Sequence, residues 1–257
     1  MIRLQNIQKV FNAGTINEAP LFSDFSFAVE KGAFVSVVGS NGSGKTTMLN
    51  IISGSLPVDS GTILLDGEDI TSLPEHRRAR RIGRVFQDPA IGTVPNMTIL
   101  ENLSLAENKG NPYTFGFAVK RQKREEFCEL VRRLGLGLED KMDIPVGLLS
   151  GGQRQALSLL MSTMTPMDLL LLDEHTAALD PKTAEVIMEL TDAIIKEKQI
   201  TALMVTHNLR YAVEYGSRLV MMDKGQIVLD KDGSEKQNTS IDDILHIFNQ
   251  ISIECGN

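Results

Sequence analysis

Gly39-Ser40-Asn41-Gly42-Ser43-Gly44-Lys45-Thr46-Thr47 fills every fixed position of the pattern G-x-x-x-x-G-K-[ST]. Residues 33–38 before it, Ala-Phe-Val-Ser-Val-Val, read as a buried strand, and Met48-Leu49-Asn50-Ile51-Ile52 after it reads as the start of a helix. Strand, glycine-rich turn and helix together make a loop that cradles phosphate. Glycines 39, 42 and 44 let the backbone turn tightly and present N–H groups to phosphate oxygens, and the positive end of the following helix dipole adds to them. In such a loop Lys45 reaches the β and γ phosphates of a nucleotide and Thr46 holds Mg²⁺. All nine residues of the stretch are therefore candidates for nucleotide binding.

Outward from the loop, apolar and polar residues roughly alternate over Ile2–Phe11 and over 22–29, which predicts strands with one buried face and a β-rich layer opening the chain. Phe11 closes the first of these runs, just before the turn-rich segment 12–18; from position alone its ring either faces a ligand or belongs to the core. Residues 61–67 read as a strand ending in a turn, Pro74 as the start of an arginine-rich helix, and 82–85 as a strand running into a loop at Gln87. Thr98 is placed to cap a helix beginning at Ile99. The chain is polar and broken by Gly110, Pro112 and Gly116, and helical periodicity resumes over 121–134.

Leu149-Ser150-Gly151-Gly152-Gln153 opens another helix, whose glycine-rich first turn is a second candidate anion site. Leu169-Leu170-Leu171-Leu172-Asp173-Glu174 is a wholly apolar strand that ends in two carboxylates, the pattern of a strand buried on both faces of a parallel sheet. A helix from Pro181, a strand over 200–206 ending at His207, a hairpin around Gly225 and a C-terminal helix from about Ser240 complete the order. Alternating strands and helices predict an α/β core, in which ligands bind beyond the carboxyl ends of the strands, where Gly39, Asp173 and His207 fall. A phosphate loop needs a metal partner, and Asp173 supplies one from the end of a buried strand; Glu174 is placed to polarise a water for attack on the γ phosphate.

With 257 residues, 42 % of them hydrophobic, the chain can bury a full core, and its net charge of −7 argues against a general nucleic-acid binder. The local cluster Arg77, Arg78, Arg80, Arg81 and Arg84 reads as a solvated helix face. Two cysteines, Cys128 and Cys255, are too few and too far apart for a metal knuckle or disulfide framework. Residues 1–20 lack the order of a secretion signal, and no apolar run nears the ~18 residues that span a bilayer. A cytosolic chain is expected.

With these residues in hand, the chain resembles the ATP-binding cassette (ABC) family over nearly its whole length, the decisive match being Leu149-Ser150-Gly151-Gly152-Gln153 just ahead of the Asp173-Glu174 strand. The resemblance implies a P-loop NTPase core, a mainly parallel sheet flanked by helices, with an N-terminal antiparallel β layer and a helical subdomain. It divides a single ATPase domain into about 1–86 with 166–257, and about 87–165 for the helical part. It implies ATP and Mg²⁺ as ligands and a homodimer in which Ser150, Gly151, Gly152 and Gln153 face the phosphate loop of a second copy. By the same resemblance Gln87 senses metal and attacking water, Asp180 belongs to the loop by which subunits communicate, His207 contacts the γ phosphate, and Phe11 stacks on adenine. His175 departs from the family pattern, in which proline usually follows the glutamate.

A narrower resemblance, carried by 11–18, 83–89 and 173–180, is to bacterial importer ATPases for tryptophan, tyrosine and related solutes. It implies a transmembrane permease docked near 87–106, an extracytoplasmic solute-binding protein, no nucleic acid, and a place on the inner face of the membrane. Ile91, Val94 and Met97 either form that docking surface or fill the helical subdomain's core. A rival reading, a soluble cassette ATPase of assembly, translation or repair, predicts paired cassettes, coiled-coil insertions or basic arms. This sequence has none of them.

Overall fold

The computed structural model describes residues 1–110 and 123–254. Pro112, Gly116, the first residues of the helix expected over 121–134, and Cys255 lie outside them. The chain runs β1 (Ile2–Phe11), β2 (Ala19–Val29), β3 (Phe34–Gly39), α1 (Lys45–Ser53), β4 (Ser60–Leu65), β5 (Glu68–Asp69), α2 (Glu75–Arg78), β6 (Ile82–Val85), α3 (Ile99–Glu107) and α4 (Lys123–Arg132). It continues through α5 (Gly151–Thr163), β7 (Leu169–Asp173), α6 (Pro181–Lys198), β8 (Thr201–Val205), α7 (Leu209–Glu214), β9 (Arg218–Asp223), β10 (Gln226–Asp232), α8 (Gly233–Gln237) and α9 (Ile241–Glu254).

Two sheets result. One is antiparallel, in the order β2-β1-β4-β5; the other has the order β10-β9-β3-β8-β7-β6, parallel from β9 to β6 with β10 antiparallel at its edge. The α/β fold with an N-terminal antiparallel layer is as the sequence leads one to expect. Because successive side chains point to opposite faces, the continuous apolar run of β7 splits. Leu169 and Leu171 join Ile51 and Ile52 of α1 and the inward face of the antiparallel sheet, so α1 lies in the core between the two sheets. Leu170 and Leu172 turn the other way, onto Met188 and Ile195 of α6 and Leu159 of α5. A separate cluster joins Ile99 and Leu103 of α3, Phe127 and Val131 of α4 and Leu157 of α5.

The arginine cluster corrects the sequence reading. Arg77 and Arg80 are exposed as expected, but α2 is a single turn and Arg78 is buried. Its guanidinium donates to the carbonyls of Ile51 and Ile52 at 2.8 and 3.0 Å, and to those of Leu73 and Thr71. A cation there satisfies carbonyls at the C-terminal end of α1, of which Ile51 also accepts from the Gly54 N–H at 3.3 Å, and complements the helix dipole. Arg81 is clamped by Asp168 and Glu68, and Arg84 by Asp173. A run of like charge reads as solvated only while its partners, far along the chain, are unseen.

Candidate active site

β3, β8 and β7 are neighbours in the parallel sheet, so their carboxyl ends bring Gly39, the 206–207 corner and Asp173-Glu174 to one edge. Cross-strand bonds fix the corners: the Glu174 N–H donates to the Val205 carbonyl at 2.9 Å and the Thr206 N–H to the Val37 carbonyl at 3.1 Å. Gly39 has φ 155°, and a Cβ there would fall inside the Met222 carbonyl of β9, so only glycine lets the loop leave the sheet at this point. Gly44, at φ 102°, forms the N-cap of α1 and offers no side-chain oxygen, which leaves the first N–H groups of that helix for a ligand.

Lys45 is buried and folded back into its own loop, donating to the carbonyls of Gly39 and Ser40 at 2.8 and 2.9 Å. Burial lowers its pKa, against which the charges of Glu174 and Asp173 act to raise it. Phosphate oxygens are stronger acceptors than these carbonyls, since both partners are then charged. The Thr46 hydroxyl donates to Asp173 Oδ1 at 3.5 Å, so a hydroxyl and a carboxylate converge, the hard oxygen donors that Mg²⁺ takes. Beyond Asp173, Glu174 sits at φ 47°, a left-handed turn that throws its side chain across to His207, whose Nε2 lies 2.7 Å from Glu174 Oε1.

Together these residues line an open cleft of about 510 Å³: Phe11, Ala19, Pro20 and Leu21 on one wall, Asn41, Gly42, Gly44, Lys45, Thr46 and Thr47 on the floor, and Glu174, His207 and Lys224 on the rim. Phe11 thus faces the cleft. Ser40 and Ser43 brace the loop from behind, through Asp223 Oδ1 at 3.1 Å and the Gly225 N–H at 3.0 Å. Ala19, Pro20, Leu21 and Lys224 carry no sequence signal of their own. The β1–β2 pairing of Phe11 with Ala19 and the β9–β10 turn bring them there.

His175 accounts for the turn after the glutamate. It is buried, and its Nε2 lies 3.1 Å from the Thr191 hydroxyl on α6. That hydroxyl gives its one proton to the Ile187 carbonyl, so the histidine is the donor and carries its proton on Nε2. Burial pushes its pKa down to about 4, and it stays neutral. A side-chain tether into the core takes the place of proline's ring.

Ser150, Gly151, Gly152, Gln153, Asp180 and Gln87 do not line the cleft. Ser150 and Gln153 cap α5 reciprocally, the Ser150 hydroxyl accepting from the Gln153 N–H and the Gln153 amide oxygen from the Ser150 N–H. Asp180 caps α6 through the Thr183 N–H at 3.1 Å. These two helix starts are packed together: a Cβ on Gly152 would strike the Thr183 methyl, and one on Gly151 would touch Leu179 at 3.5 Å. Ser150, Gly151 and Asp180 are exposed, as is Gln87. One chain therefore carries a cleft and, outside its lining, exposed candidate residues: Ser150, Gly151 and Asp180 at the packed starts of α5 and α6, and Gln87 on the loop after β6.

Residues 22–177 match the family model described as ABC transporter. The chain is 49 % identical to a tyrosine transport ATP-binding protein of Clostridioides difficile (strain R20291), over 96 % of this chain and 98 % of that one. It is 32 % identical to a phosphonates import ATP-binding protein of Lactococcus lactis subsp. cremoris (strain SK11), over 95 % and 98 %. Among solved structures it is similar to a dimeric, post-hydrolysis ATP-binding cassette bound to ADP and Pi, with TM-score 0.76 and 29 % identity over 90 % of this chain and 98 % of that one.

Proposed function

The chain belongs to the ABC transporter family, and from that premise we propose that it is the ATPase subunit of an importer for an amino acid or related small solute, working as a homodimer on a membrane permease. The observation that carries the reading is the convergence of Lys45, Thr46, Glu174 and His207 on one cleft with an aromatic wall at Phe11, and of buried Asp173 on the Thr46 hydroxyl. Adenine stacks on Phe11, the phosphates take the N–H groups of the loop and of α1, and Lys45 exchanges its loop carbonyls for β and γ oxygens. Thr46 and Asp173, with Gln87, hold Mg²⁺, which when bound offsets phosphate charge in the transition state. Glu174 takes the proton of the attacking water, and His207, held against the glutamate at 2.7 Å, turns to the γ phosphate. Ser150, Gly151 and Gly152 of the second copy close the cleft, and Asp180 lies at the same junction.

The 49 % relative favours tyrosine or a similar amino acid as cargo, although none of these residues touches the solute. Ile91 and Val94, 64 % and 42 % exposed, with Leu148 at 76 %, support a docking surface for the permease near 87–97; Met97 is half-buried. No helix among the described residues is long and apolar enough to cross a membrane. In this reading the permease holds the chain at the inner face. In the complete importer, a solute-binding protein delivers the cargo from outside.

Glu174→Gln tests the mechanism. We expect it to bind ATP and accumulate as an ATP-loaded dimer on size exclusion, with turnover reduced at least ~100-fold. Near-normal turnover would remove Glu174 from the chemistry.

A further inference from the structure

The neighbourhood of Asp173 holds a charge that nothing in the proposed mechanism uses. Arg84 is the third residue of β6 and pairs in register with Leu171 of β7, two residues before the carboxylate. Its Nη2 donates to Asp173 Oδ2 at 2.7 Å and its Nη1 to the Ser53 hydroxyl at 3.3 Å. Its guanidinium stands over the Phe86 ring, 4.6 Å from the centroid. The pair is set into the protein, each side chain being only 12 % exposed, and the Arg84 Nε is buried without a hydrogen-bond partner among the described residues.

Charges this deep lose much of their hydration, and the arrangement is not one that strand packing calls for, since an apolar residue would continue β6. It divides the carboxylate in two. Oδ2 belongs to the guanidinium, while Oδ1 is turned toward the Thr46 hydroxyl, where a metal would sit.

We propose that Arg84 is a positioning residue and built-in counter-ion for Asp173: it holds Oδ1 toward Thr46, stands in for the metal's charge in the nucleotide-free chain, and weakens the site's grip on the divalent cation. This rests on the reading that Thr46 and Asp173 hold the metal. A guanidinium sharing one carboxylate with a divalent cation repels it across a few ångströms of poorly solvated protein. Removing that charge frees the carboxylate for the metal and leaves it uncompensated without one. Metal affinity and nucleotide-free stability therefore move in opposite directions.

The test is Mn²⁺ titration followed by electron paramagnetic resonance, on full-length chain saturated with a non-hydrolysable ATP analogue, beside thermal melting without nucleotide. Arg84→Met should lower the half-saturating Mn²⁺ concentration about tenfold and lower the nucleotide-free melting temperature, while Arg84→Lys, which keeps the charge, stays within about threefold of wild type. If Arg84→Met does not fold, Arg84→Gln, which keeps a hydrogen bond to Asp173 without the charge, carries the same expectation. An unchanged or weakened Mn²⁺ affinity in the neutral variant, with Asp173→Asn weakening it as a ligand loss should, overturns the role of Arg84 alone. An Asp173→Asn curve that matches wild type overturns the metal assignment itself, and the proposal with it.

Discussion

The cleft over the phosphate loop and the surface around Ser150 are both helix N-termini, yet they are built in opposite ways. α1 begins at Gly44 with no side-chain cap, beneath an open cleft, and its first N–H groups await a ligand. α5 begins at exposed Ser150 with a complete capping box, outside the cleft lining. The first is a binding site in itself; the second already has its orphan donors partly satisfied and offers only a hydroxyl and a glycine edge. A surface of that kind binds nucleotide only when something else supplies the rest of the pocket. The difference supports the proposal that the two are halves of one site, joined across a dimer.

Substitutions in the two halves should therefore fail differently, and the largest effect belongs to the cleft. Lys45→Ala removes a buried charge from the phosphate contact, and ATP affinity by calorimetry should fall at least ~30-fold, the scale of truncating a buried charge pair at about 2–5 kcal/mol. Ser150→Arg should leave the first ATP bound within about threefold of wild type but cut turnover ~100-fold, because the transition state loses donors that the ground state hardly uses. If Ser150→Arg weakened ATP binding to the isolated chain as strongly as Lys45→Ala, the two regions would not be separable halves.

A smaller effect lies beneath the cleft, at His175. Its pKa, about 4 in the folded chain, is near 6.5 when unfolded. Between those values the unfolded chain binds a proton that the folded one refuses, so this contribution to stability is complete above about pH 6.5 and declines as pH falls toward 4. From pH 7 to pH 5 wild type should lose about 2 kcal/mol more than His175→Gln in urea unfolding. Equal losses would mean that the imidazole is not held neutral under the catalytic turn.

The smallest effect on the fold is expected at the exposed apolar residues. Val94→Asp and Leu148→Asp should change stability by less than ~0.5 kcal/mol and leave ATP binding intact while reducing co-purification with the permease. Unfolding of either variant would return these side chains to the core; normal co-purification would move the docking surface elsewhere.

How far the sequence reaches follows the same division. The phosphate loop and the 169–174 strand were legible because their chemistry is written in consecutive residues, and the β1 and β2 strands because alternation reports a half-buried face. α7 was not, since six residues are too few for helical periodicity to show. Arg84 and Arg78 were misread because the groups that bury them are distant in sequence, 89 residues away for Asp173 and 27 for Ile51. Lys224 reaches the cleft only through the turn between β9 and β10. Local pattern reports what a residue can do, whereas its use depends on what the fold brings beside it.

In the proposed dimer one chain's cleft closes on the other chain's Ser150 surface. The direct measurement places cysteines at Ser40 and Ser150 in a background lacking Cys128 and Cys255, adds ATP to the Glu174→Gln form, and follows disulfide formation by non-reducing electrophoresis. The expected product is a cross-linked dimer that depends on ATP and forms when the two cysteines are carried on separate, mixed chains. A disulfide that forms only within single chains carrying both cysteines, or a dimer band that ATP does not change, would contradict it.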